Sequence, residues 1–93
     1  MGQSTFTFVT DPGHGWLLVK ESELSILGLT TKSFSEYSYR SRDGVLALEE
    51  DCDASIFKDA WELAQGNAMK LTVRHSDLDC IVRGWPRIKS GIV

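Results

Sequence analysis

Two histidines, two cysteines and one run of acids carry most of the reactive side-chain chemistry of this sequence. His14 stands in the stretch FVTDPGHGWLLV, directly after a strand-like segment. A histidine in that place can be a zinc ligand at a strand end or part of a tight turn. Catalytic zinc takes three protein ligands and keeps one position open. His75 is the only other histidine, and Glu21 and Glu23 follow His14 too closely to complete such a set. The spacing favours the turn: Pro12 presets φ and Gly13 permits positive φ. Cys52 and Cys80 make neither a disulfide framework nor a zinc ribbon, and two reduced thiols are expected. No Ser-His-Asp set, no Cys-His pair adjacent in sequence and no glycine-rich phosphate loop can be assembled, so no catalytic residue, metal or cofactor is assigned.

The acids are concentrated. Residues 43–68 hold seven (Asp43, Glu49, Glu50, Asp51, Asp53, Asp59 and Glu62) against Lys58 alone. Residues 1–42 are balanced, and residues 69–93 carry five bases against Asp77 and Asp79. The net charge of −3 therefore conceals an acidic middle and a basic end, which is not the footprint of a general nucleic-acid binder. Glu49-Glu50-Asp51-Cys52-Asp53 misses the calcium-loop spacing, having no glycine and no trailing glutamate. It reads as a strand end plus a helix start, where acids offset the macrodipole. Only one or two of these acids are needed for that.

Two resemblances attach to these segments. A strand ending in Asp11-Pro12-Gly13-His14-Gly15 resembles the zinc-dependent N-acetylmuramoyl-L-alanine amidases of cell-wall turnover, in which the histidine after such a strand binds the metal. The resemblance covers about six residues. Trp16 replaces the family's usual second glycine, and the sequence is about half the length such a domain needs. Asp11 to Leu17, Tyr37-Ser38-Tyr39 and Leu48 to Asp53 together resemble small uncharacterised proteins of phages and mobile elements. That resemblance implies an accessory or anti-defence role and transfers no functional residue.

The elements that must position these residues follow from periodicity. Thr5 to Thr10 alternates as a half-buried strand, and Trp16 to Lys20 is its hairpin partner across a loop of about five residues. Ser22 and Glu23 open a short helix that Gly28 stops. Thr30 to Ser35 is linker around Phe34. Asp43-Gly44 between Tyr37–Arg42 and Val45–Glu49 predicts a type I′ hairpin with Tyr39 opposite Leu48 and Arg40 opposite Ala47. That register puts Tyr37, Tyr39, Leu46 and Leu48 on the core face, and Ser38, Arg40, Arg42 and Glu49 outside. Tyrosines and arginines on opposite faces make no stacking platform for bases.

Asp51 or Asp53 is expected to cap a helix over residues 54–65, with Ile56, Phe57, Ala60, Trp61 and Ala64 as its apolar stripe. Gly66-Asn67 ends it. Met69 to Arg74 and Leu78 to Arg83 alternate as a last hairpin turning at Ser76-Asp77, with Val73 opposite Cys80 and Arg74 opposite Asp79. Trp16 and Trp61 are core residues, Trp85 is exposed or half-buried, and residues 87–93 are tail-like. The order ββαββαββ is an α+β two-layer sandwich, an antiparallel sheet of hairpins with helices on one face, in a single domain over residues 1–93.

No apolar run approaches a membrane span, and Met1 to Phe6 has neither a secretory signal nor a myristoylation pattern. A cytoplasmic, non-enzymatic binding protein is expected. Its contact surface is Glu49, Glu50, Asp51, Asp59 and Glu62, its partner a protein with a basic surface. The alternative is a small metal-dependent enzyme centred on His14. A nucleic-acid binder using Lys70, Arg83, Arg87 and Lys89 ranks below both.

Overall fold

The computed structural model describes residues 5–77 and 80–88. They form an α+β fold: a mixed five-stranded sheet with one α-helix packed on one face. Strands β1 (Thr5–Thr10) and β2 (Gly15–Lys20) make the expected hairpin, with Thr10 opposite Gly15 and a loop of Asp11 to His14. Strands β3 (Tyr39–Arg40) and β4 (Val45–Glu49) pair antiparallel, helix α1 spans Ala54–Gln65, and β5 is Lys70–His75. The strand order is β3-β4-β2-β1-β5.

Helix α1 forms where the stripe predicted it and stops at Gly66, which is left-handed at φ +73°. Phe57 and Trp61 are buried, and each meets Phe6 of β1 edge-on at 5.6 Å between ring centroids. Leu17, Val19, Leu46 and Leu48 complete this cluster from β2 and β4. A fully buried side chain of this size contributes about 1.5–3 kcal/mol. Ile56 and Ala64 sit at the margins of the stripe and are exposed.

Four features depart from the sequence reading. The first is the β3–β4 turn. Gly44 is at φ +84° while Asp43 is not at positive φ, so the turn is not type I′. Instead Gly44 N–H donates to the Ser41 carbonyl and Ser41 N–H to the Val45 carbonyl, a type I turn closed by a glycine bulge. The extra loop residue moves the register by one, setting Tyr39 opposite Ala47 and Arg40 opposite Leu46. One step reverses faces. Tyr39 therefore packs with Trp16, Ala47 and Val82 on the side of the sheet away from α1, and Tyr37 is exposed. Gly44 remains essential. Gly44→Val is expected to cost about 1–2 kcal/mol in urea unfolding through its positive φ; an unchanged midpoint would contradict the bulge.

The second departure is the last hairpin. β5 pairs with β1 in parallel, Phe6 opposite Leu71 and Phe8 opposite Val73, so the sheet is mixed, not antiparallel. Ile81–Gly84 is a 3-10 turn, and Cys80 belongs to no strand. The pairing of Arg74 with Asp79 falls outside the described residues. The segment is drawn elsewhere because Asp11 accepts hydrogen bonds from Cys80 N–H and from the Arg83 guanidinium. Val82 and Trp85 then pack on the second cluster, Val82 buried and Trp85 half-buried. Both sheet faces are thus covered in part, one by α1 and one by this turn.

The third is the first helix, which is two 3-10 turns, Glu21–Glu23 and Ser25–Leu27. Ser22 makes no cap there, although Gly28 ends the second turn in the left-handed region as expected. The expected linker also holds a capped 3-10 turn, Thr31–Ser33, where the Thr30 hydroxyl accepts from Lys32 N–H. The fourth is the acids around α1, whose roles are set by the site described next. No helix among the described residues is long and apolar enough to cross a membrane.

Candidate functional site

The site is built where the β1–β2 loop, the end of β4 and the C-terminal 3-10 turn converge. Asp11 organises the loop. One carboxylate oxygen accepts Gly13 N–H at 2.9 Å and His14 N–H at 3.0 Å, closing the turn that Pro12 and Gly13 predispose. The Arg83 guanidinium donates to both oxygens, at 2.6 and 2.9 Å. Arg83 first, and then the surrounding backbone N–H groups, hold the buried Asp11 carboxyl well below the usual carboxylate range, against the opposing effect of burial. His14 is accordingly a turn residue, half-exposed, with its Nδ1 3.6 Å from Glu49 Oε2.

Glu49 lies on the sheet face away from α1, as its alternation with Leu46 and Leu48 predicts, but that face is covered here, not open: Glu49 stands opposite Trp16 and is buried. Its Oε1 accepts Asp51 N–H at 2.9 Å and Cys52 N–H at 3.0 Å. These bonds close the turn that leads into α1 without reaching the helix's own first N–H groups, so the cap expected from Asp51 or Asp53 is not made. Asp53 makes no side-chain cap. It is 1% exposed and instead holds the chain before β3: Ser35 donates to it from N–H and hydroxyl, and the Ser38 hydroxyl donates as well. The Ser38 oxygen in turn accepts Glu49 N–H at 2.9 Å. Asp53, Ser38 and Glu49 thus tie β3, β4 and α1 into one buried network.

Above this network lies a cleft of about 260 Å³. Its aromatic side is Trp16, Tyr37 and Tyr39, with His14 tilted over Trp16 at 6.0 Å. Its acidic side is Glu49 and Asp51, with Cys52 between them and the helix. Arg83 lies over the Trp16 ring at 5.2 Å and Arg87 over Tyr39 at 4.7 Å. Alternation along β3 sets Tyr39 and Arg40 on opposite faces, but two more distant arginines reach the aromatic rings. The structure brings Arg87 to Tyr39 and Arg83 to Trp16, at separations of 48 and 67 residues, which no local period can signal. The indole N–H of Trp16 is buried and has no hydrogen-bond partner among the described residues.

Desolvation of the sulfur, and then the Glu49 carboxylate, push the Cys52 thiol up, so it stays a thiol and a poor nucleophile. Cys52 and Cys80 are both free. Among the described residues no group of three or more His, Cys, Asp or Glu is placed to hold a metal ion.

The five expected contact acids are divided. Glu50, Asp51 and Asp59 are exposed. Glu49 is buried, and Glu62 turns inward to accept Met69 N–H at 2.8 Å while pairing with Lys58 at 3.1 Å. The Met69 bond first, then Lys58, lowers the Glu62 pKa. The bases are divided too: Lys70 lies on β5 at one sheet edge, Arg87 bridges to Tyr39 at the other, and Lys89 is outside the described residues. No family model matches the chain, and neither curated proteins nor solved structures give a match.

Proposed function

We propose that this chain is a non-enzymatic binding protein that docks its acidic end on a basic macromolecular partner. The observation that supports the reading is the cleft. It sets aromatic faces, with Tyr37 half-exposed, beside the carboxylates of Glu49 and Asp51. That combination suits a partner's Lys or Arg side chain, which gains from both a π face and a carboxylate. The arginines already there do not cancel it: Arg83 is matched by Asp11, and the guanidinium of Arg87 is engaged by the Tyr39 ring and the Glu36 carbonyl. Asp51 has no ion pair among the described residues, and Glu50 and Asp59 add exposed charge along the start of α1.

The test is capture from lysate of the source cell with wild-type chain and with a Glu50→Lys, Asp51→Lys, Asp59→Lys variant. These positions are exposed, so the variant should fold; Glu49 is left alone because its buried carboxylate closes the turn before α1. Wild type is expected to retain a basic partner that the variant loses and that raised salt releases. Equal, salt-independent recovery by both, or no partner for wild type, would exclude the acidic end.

A further inference from the structure

The two edges of the sheet are treated differently. At the β3 edge, Arg40 N–H donates to the Pro86 carbonyl and Ile88 N–H to the Ser38 carbonyl, so residues 86–88 close that edge. At the other edge β5 runs for six residues in continuous register with β1, exposed at every position, with no further strand beside it among the described residues. Ser76 N–H donates to the Thr10 carbonyl. Alternation from that bond directs the amides of Arg74 and Thr72 to β1, and those of Leu71, Val73 and His75 outward. An edge of this length, with Leu71 42% and Val73 62% exposed, is a template for an added strand.

We propose that β5 takes an extended segment of a partner protein as a sixth strand, with apolar side chains on the α1 side and acidic side chains on the opposite side. The chemistry of each side follows from β5 itself. Leu71 and Val73 lie on the α1 side, where a mainly apolar groove of about 220 Å³ opens between Phe8, Leu17, Ala54 and Leu71, with Glu50, Ser55 and Lys58 on its helix wall. Lys70, Thr72 and Arg74 lie on the other side, and neither Lys70 nor Arg74 has an acidic partner among the described residues. Acids in the added strand would sit across from these two bases, where opposite charges stabilise a pair and like charges oppose it. The same reasoning disfavours a second copy of this chain: any pairing that keeps Leu71 and Val73 together gathers two Lys70 and two Arg74 side chains on one face. The main-chain ladder would supply affinity and the two side-chain patterns specificity. This surface adjoins the acidic end at Glu50, which lines the groove, but the β5 ladder and its Lys70 and Arg74 side do not depend on that end.

The probe is an end-blocked octapeptide alternating glutamate and valine, titrated into the full chain with amide shifts and anisotropy as readouts. Its controls are the lysine–valine peptide and a glutamate–valine peptide with proline at two central positions. Saturable shifts on Leu71 to His75 are expected, with at least about tenfold weaker binding of both controls. The Lys70→Glu, Arg74→Glu variant should reverse the preference in favour of the lysine–valine peptide. The peptide controls decide the matter even if that variant does not fold. No saturable binding, shifts centred elsewhere, equal binding of the three peptides, or sedimentation of the free chain as a dimer with the Leu71 and Val73 amides protected would each overturn the proposal.

Discussion

Asp53→Ala is expected to lower unfolding stability by about 3–5 kcal/mol, measured by urea titration. The carboxylate is 1% exposed and receives Ser35 N–H, Ser35 O–H and Ser38 O–H. Removing it leaves those donors in a space where water has little access, at about 1–3 kcal/mol for each that stays unsatisfied. Folded chains carry roughly 0.05–0.15 kcal/mol per residue, so the loss is a large share of what a chain of 93 residues has. The size of the effect separates two roles. An ordinary N-cap contributes about 1 kcal/mol, and an Asp53→Ala cost near that figure would make Asp53 a helix cap and nothing more. A cost several times larger, with a smaller loss for Ser38→Ala, identifies it as the tie between α1 and the chain entering β3. The cleft should respond as well, because Ser38 also accepts the N–H of Glu49.

That tie shows which parts of the molecule the sequence could disclose. The first hairpin, helix α1 and the stops at Gly28 and Gly66 rest on short-range rules: alternation, a stripe at helical spacing, a residue free to take positive φ. All were legible. Asp43-Gly44 was legible as a turn but not as which turn, since glycine suits both the two-residue type and the bulged three-residue type. The choice depends on which face of β3 must be buried, and it sends Tyr39 to the opposite cluster from Leu46 and Leu48. Strand β5 was legible as a strand but its neighbour was not, because alternation carries no information on parallel or antiparallel pairing.

The site was less visible. An aspartate before a helix looks like a cap, and only contacts 15 and 18 residues away show that Asp53 serves Ser38 and Ser35 instead. The excess of acids was correctly located in residues 43–68, but counting does not say which carboxylates turn inward. Glu49 is buried because Trp16 and Tyr39 cover its face of the sheet and the N–H groups of Asp51 and Cys52 bind it, and Glu62 turns in to bind the N–H of Met69 after the helix. The cleft depends most on long-range contacts. Its arginines arrive because Asp11, a residue that reads only as a turn former, binds Arg83 at a separation of 72 residues.

Asp11→Asn should therefore loosen both the loop and the cleft, with a pH dependence that identifies the cause. The Asp11 carboxyl is held below its ordinary value of 3.8, chiefly by Arg83. A group whose folded-state pKa is lowered adds stability that is full above the unfolded value and is lost as pH falls through the folded one. The gap in urea midpoint between wild type and Asp11→Asn should thus be widest near neutral pH and narrow steadily below pH 3.8. Subtracting the variant removes the contribution of Glu62, whose lowered pKa is common to both. At neutral pH the melting temperature should fall by about 10 °C, since a buried carboxylate bonded to a guanidinium and three backbone N–H groups is replaced by an amide that cannot accept at both ends. Arg83→Ala should be at least as damaging, because it leaves the Asp11 carboxylate buried and uncompensated. The double variant should then cost less than the two single losses added together, the mark of residues acting as one unit. A gap that stays constant from neutral to acid pH would mean that the loop holds itself through Pro12 and Gly13 alone. Arg83 would then lie beside Trp16 for reasons of packing, not charge.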